Sequence, residues 1–109
     1  MTKYLFLYRS PVSAQEQMAT ASAEQAQAGM DAWMSWAGQA GSAIVDLGSP
    51  VALADTLGAG GSGESPVGGY SIMEADSIEA LRDLLAGHPH LMLNGASIEV
   101  HEHLSMPGM

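Results

Sequence analysis

The chain has 109 residues, 47% of them hydrophobic, and sets three basic residues against twelve acidic ones for a formal net charge of -9 at pH 7. That length suits one domain, 1–109, since two cores would each be too small to offset the entropy of ordering their chain, and the acidic balance repels nucleic acid and anionic membranes. Cysteine is absent, which removes disulfides and thiol nucleophiles, and the five-residue apolar run near the N-terminus is too short for a signal-peptide core or a membrane span, so a cytoplasmic protein is expected.

Lys3 to Arg9 (KYLFLYR) is apolar at successive positions, with Tyr4, Phe6 and Tyr8 on one face and Leu5 and Leu7 on the other. This pattern predicts a central strand covered on both sides. Pro11 ends it, and Ser13 with Glu16 three residues on predicts the start of a helix that runs to about Ala40. Met18, Ala21, Met30, Trp33, Met34 and Ala37 recur at helical spacing along it, and Gly29 is the point where it would kink or break. Gly41 is the expected stop. A strand resumes over Ala43 to Leu47 (AIVDL), with VALADTL following after Gly48, Ser49 and Pro50.

The stretch GAGGSGESPVGG reads as a hairpin connection, because it lacks the Gly-Lys-Ser/Thr ending and following helix of a phosphate loop. Gly69 to Ala75 (GYSIMEA) alternates as a third strand. Asp76 and Glu79 then have the spacing of a capping box for a second helix, with Ile78, Leu81, Leu84 and Leu85 as its buried stripe, Arg82 and Asp83 on its wet side, and Gly87 as its stop. Ala96 to Leu104 (ASIEVHEHL) is the last strand.

Strand, helix, strand, strand, helix, strand is the order of a ferredoxin-like α+β fold with both helices on one face of the sheet. The other face is left uncovered, and one Phe, two Trp and three Tyr supply few large side chains for a core. A homodimer packed sheet to sheet is the expected remedy for both.

The stretches KYLFLYR, DAWMSWAGQAG leading into VDLGSPV, VGGYSIMEADSIEALRDLLAGHP, and GASIEVHEH with its MPGM tail together resemble the YCII-related family, over nearly the whole chain. The resemblance implies a dimeric α/β barrel, a homodimer in which two sheets close a barrel with helices outside and each subunit holds a ligand-sized cleft. Some relatives carry a histidine on the first long helix and an aspartate near the next strand, suggested as a catalytic pair. Here that helix has no histidine, and only Asp46 stands for the acidic half. The Asp-Gly-Pro-Phe stretch of another branch is replaced by GSGESPVGG.

All four histidines lie between Gly87 and His103. Strand periodicity puts Ile98, Val100, Glu102 and Leu104 on one face and Glu99, His101 and His103 on the other, a carboxylate and two imidazoles in an alternative metal-ligating arrangement. The plainer reading of that set is a polar face, hydrated or paired across a dimer. His88 and His90 sit in the loop after the second helix. His88 can bond the last free carbonyls of that helix, a role favoured over catalysis, whereas for His90 the two roles weigh evenly. As an acid or base, His90 would need Tyr70 or Asp46 beside it. Tyr70, Arg9 and Trp33 are the candidates for ligand contact, Arg9 through its planar fork against surface pairing and Trp33 against core packing.

The expected function is therefore a homodimer that binds a small organic molecule in a cleft between sheet and helices. If it is an enzyme, acid–base chemistry by His90, His88 and Asp46 is expected without a cofactor, since a thiol, a phosphate loop and a dinucleotide fingerprint are all missing. The alternatives are a noncatalytic accessory or regulatory module that engages another protein, and a metal-binding protein using the HEH strand.

Overall fold

A computed structural model describes residues 1–59 and 66–107. Its strands are β1 (Thr2–Arg9), β2 (Ile44–Asp46), β3 (Val67–Ala75) and β4 (Ser97–Glu102), and its helices are α1 (Ala14–Thr20), α2 (Ala23–Ala40) and α3 (Ile78–Leu85). The sheet has the order β2-β3-β1-β4, and every pairing is antiparallel. This is the ferredoxin-like α+β arrangement, with the strand richest in large side chains at its centre.

The period-two reading of β1 holds. Tyr4, Phe6 and Tyr8 are buried beneath the helices, together with Met73 and Ala75 from β3, while Leu5 and Leu7 lie half-buried on the opposite face. Trp36 and Ala40 of α2 and Leu81 and Leu85 of α3 complete one continuous core cluster. The Trp36 indole N–H donates to the Leu84 carbonyl at 2.9 Å and so joins α2 to α3.

Three expectations about the helices need correction. The long helix is two helices, and the break falls at Ala21 and Ser22 rather than at Gly29, which α2 carries in its interior. Ser22 accepts from the Gln25 backbone N–H while the Gln25 side chain accepts from the Ser22 N–H, a complete capping box that starts a new helix. The buried stripe of α2 is Trp33, Trp36, Ala37 and Ala40, whereas Met18, Met30 and Met34 are exposed. α3 is capped by Ser77, whose side chain accepts from the Ala80 N–H, and not by Asp76.

Residues 51–57 form no strand. Past β2 the chain turns at Gly48, whose φ of +82° brings its backbone against that of Tyr70, and from there an isolated bridge joins Pro50 to Gly69, with the Val51 N–H donating to the Gly68 carbonyl and the Tyr70 N–H to the Ser49 carbonyl. The glycine-rich connection falls partly outside the described residues, at 60–65, and its last residues, Val67 to Gly69, already belong to β3.

The Cα radius of gyration is 15.1 Å, where a globular chain of 100 residues has about 13 Å. In the segment from Val51 to Leu57, Leu53 and Leu57 are 83% and 91% exposed. Among the described residues, no helix is long and apolar enough to cross a membrane.

Candidate functional site

Pro89 ends α3's continuation and opens a 3₁₀ turn, Pro89–Met92, with His88 as its N-cap. The Nδ1 of His88 accepts the His90 backbone N–H at 3.0 Å, so the ring caps this following turn and not the carbonyls of α3. His88 is fully buried among the rings of Trp36, Trp33 and Tyr8, at centroid distances of 4.2, 4.6 and 5.1 Å. With Nδ1 accepting, the neutral ring carries its proton on Nε2, which is buried and has no hydrogen-bond partner among the described residues. Aromatic faces, at best weak acceptors, surround it. Burial, and secondarily the His90 charge, push its pKa down from 6.5 to about 4, so the ring is neutral at pH 7.

His90 is also buried. Its Nε2–H lies 2.9 Å from the Arg9 carbonyl and 3.0 Å from the Ser97 carbonyl and donates to both. Arg9 and Ser97 are paired at one end of the β1–β4 ladder, so the ring ties the turn to the two strands. Tyr8, beneath both imidazoles, donates its O–H to Ser71 Oγ at 2.8 Å, and Ser71 passes a hydrogen bond to the Leu47 carbonyl. Burial pushes the Tyr8 phenol up to about 12, and the Ser71 bond offsets only part of that rise.

The other histidines lie on the far side of the sheet. His101 Nε2 donates to Glu99 Oε1 at 2.7 Å, and Arg9 Nε donates to Glu99 Oε2 at 3.2 Å. The His101 bond first, and the Arg9 guanidinium after it, hold the Glu99 carboxyl below its usual range. His103 lies beyond the end of β4, exposed, with its backbone N–H bonded to the Lys3 carbonyl. Among the described residues no three His, Cys, Asp or Glu side chains are grouped so as to hold a cation, and Glu99 is engaged by His101 and Arg9.

Tyr70 shares this face, opposite Leu7, and is half-buried. Asp46 is exposed on β2, the sheet edge opposite β4, and its Oδ1 accepts the Gly48 N–H at 2.8 Å. Trp33 is half-buried and packs edge-on against Tyr8 at 5.1 Å. The sheet therefore separates the loop pair, His88 and His90, from Glu99, His101 and Tyr70, and the histidine-rich stretch does not form one cleft. Arg9 joins the two sides, its carbonyl taken by His90 and its guanidinium by Glu99.

A cavity of about 400 Å³ opens between α3 and β4, on the helix side of the sheet. From α3 it is lined by Ile78, Leu81 and Leu85, with Arg82 among them. Ile98 and Val100 of β4 form the opposite wall, and Leu91 of the 3₁₀ turn closes one end. Its size lies in the range of ligand pockets, ~300–1,000 Å³, and its mix of apolar walls with one charged group is typical of them. The helical pattern alone places Arg82 on the wet side of α3. The signal that would have found it is spacing, since Arg82 follows Ile78 by four residues and flanks the apolar stripe.

No protein-family model matches the chain, and neither does any curated protein. Among solved structures it is similar to the 5-chloro-2-hydroxyhydroquinone dehydrochlorinase TftG from Burkholderia phenoliruptrix AC1100, in complex with 2,5-dihydroxybenzoquinone. The likeness has a TM-score of 0.51 at 18% sequence identity and covers 91% of each chain. It shows a shared ferredoxin-like α+β fold.

Proposed function

We propose that this chain is a cytoplasmic, single-domain homodimer of the YCII-related type that binds a small organic molecule in the groove between α3 and β4. The observation that carries the reading is the groove itself, ligand-sized, apolar, and lined by one basic and no acidic side chain. The similar dehydrochlorinase, which acts by its name on a small ring compound, supports an organic ligand of that class.

Dimerisation is supported by the helix-free face of the sheet. Leu5, Leu7, Tyr70 and Ile72 lie there with no described element over them, and the extended segment with Leu53 and Leu57 adds apolar surface that a second copy would remove from water.

The geometry favours binding over imidazole catalysis. His90 has its Nε2 between two carbonyls, His88 is sealed among aromatic rings, and Asp46 stands at the other edge of the sheet, so an acid–base step by these three would require the turn to come apart first. We assign His88 and His90 to holding the loop.

The test is a thermal-shift and calorimetric screen of small ring and branched-chain compounds against the chain and a Val100→Trp variant, which fills the groove from its β4 wall. Hits that bind the parent and lose affinity in a folded Val100→Trp protein support the groove. Hits that bind both alike would move the site elsewhere, and a monomer by sedimentation at micromolar concentration would overturn the assembly.

A further inference from the structure

Three cations serve this acidic chain, and their surroundings differ. Arg9 is engaged with Glu99 on the helix-free face, and Lys3 lies across the β1–β3 ladder from Glu74. Arg82 is exposed, lines the groove, and makes no ion pair with any described residue, although the chain has twelve acids to offer. Glu79, three residues earlier on α3, is near enough along the helix for such a pair, and none is formed. Among the described residues every other lining side chain is aliphatic, so Arg82 brings the one charged side chain to the groove.

Resting on the groove reading above, we propose that the ligand is an apolar carboxylic acid, with its hydrocarbon body between α3 and β4 and its carboxylate on Arg82. The planar guanidinium fork matches two carboxylate oxygens with two parallel N–H···O bonds. A single carboxylate needs no more than that one cation. A phosphate group, which carries more charge, would call for several donors, and the groove lining supplies no second base, hydroxyl or amide side chain. Apolar burial supplies most of the attraction, and Arg82 sets which end of the molecule faces water and discriminates the acid from its neutral analogues.

Calorimetry with the intact chain tests this on matched probes: benzoate, phenylacetate, hexanoate and octanoate against benzamide, phenylacetamide, hexanamide and octanamide. At least one carboxylate should bind tenfold or more tightly than its amide. Arg82→Gln, at an exposed position that leaves the core intact, should abolish that preference by bringing the acid down to the affinity of its amide, and Arg82→Lys should restore part of it. Equal binding of acid and amide, or an Arg82→Gln protein that keeps the full preference, overturns carboxylate recognition and leaves the groove reading standing. Failure of every acid and amide to bind at millimolar concentration overturns both.

Discussion

The enclosed ring of His88 makes a specific pH dependence of stability. In the native chain its pKa lies near 4, and the unfolded chain takes up the same proton at the ordinary value of 6.5. Between those values the unfolded state holds one more proton than the native state at this residue, so stability rises with pH. The contribution is fully present above about pH 6.5, falls as the pH drops from 6.5 towards 4, and falls no further below the folded pKa. At 1.36 kcal/mol per pKa unit the shift is worth up to roughly 3 kcal/mol, the cost of placing a charged imidazole among Trp33, Trp36 and Tyr8.

His88→Asn isolates that contribution. The asparagine oxygen keeps an N-cap acceptor for the His90 N–H, and the side chain does not titrate. Stability from urea unfolding, measured in half-unit steps from pH 4 to 8 at fixed protein concentration, should show the parent well above the variant at pH 8. The gap should narrow by up to about 3 kcal/mol by pH 4. Carboxylates titrate over the same range in both proteins and cancel in the difference. A gap that stays constant from pH 4 to 8, or an NMR titration of the His88 ring with its midpoint near 6.5 in the folded chain, would refute the reasoning.

Tyr8→Phe removes one buried hydrogen bond and leaves Ser71 still donating to the Leu47 carbonyl, so it should cost about 1 kcal/mol in unfolding free energy with the fold unchanged by circular dichroism. Gly48→Ala should be far worse. Gly48 has φ +82°, and a Cβ there would stand 1.7 Å from the Tyr70 carbonyl oxygen, so β2 must leave β3, which hydrogen exchange of the Tyr70 amide, a donor to the Ser49 carbonyl, would register. On the helix-free face, Ile72→Lys should convert the proposed dimer to a folded monomer by sedimentation, because a lysine ammonium there would be buried without a partner.

The strands are legible where alternate side chains meet two different surroundings, in central β1 and in edge strand β4 alike. β1 could be read from its side chains because alternate residues meet helices and the open face, and β4 kept its predicted faces, Ile98 and Val100 towards the helices and Glu99 and His101 away from them. β2 was overread because its length is set by the turn at Gly48 and not by the apolar residues beyond it. The α1–α2 break was missed for a related reason. Periodicity runs through it, and the decision falls to two reciprocal hydrogen bonds between Ser22 and Gln25, a pattern weaker to the eye than a mid-helix glycine.

At the site, the histidines and the strand faces of Glu99 and His101 are readable from the sequence, and the burial of His88 and His90 is not. Nothing in AGHPHL distinguishes a ring at a cleft from a ring under two tryptophans, since Trp33 and Trp36 are more than fifty residues away along the chain. Arg82 was visible and was given only the charge-facing-water role that its composition suggests. Its place at an apolar wall depends on β4, which arrives in the chain later and from the other side.

The positions of His88 and His90 bear on how any later mutagenesis of this chain is interpreted. The Arg9 and Ser97 carbonyls lie where β1 and β4 part, under a 3₁₀ turn that limits access by water, and a buried carbonyl without a donor costs free energy comparable to a lost hydrogen bond. A ring N–H supplies the donor at a fixed point. Imidazole does so while packing its flat body against Tyr8, at 5.2 Å between centroids, which neither lysine, with its charge, nor serine, with its short reach, would do. Replacing His90 by alanine therefore frees both carbonyls and loosens the wall in which Leu91 closes the groove. A loss of binding in that variant would follow from the turn alone. Only with an unfolding curve beside it, and with Arg82→Gln as the variant that touches ligand and not fold, does such a loss bear on chemistry.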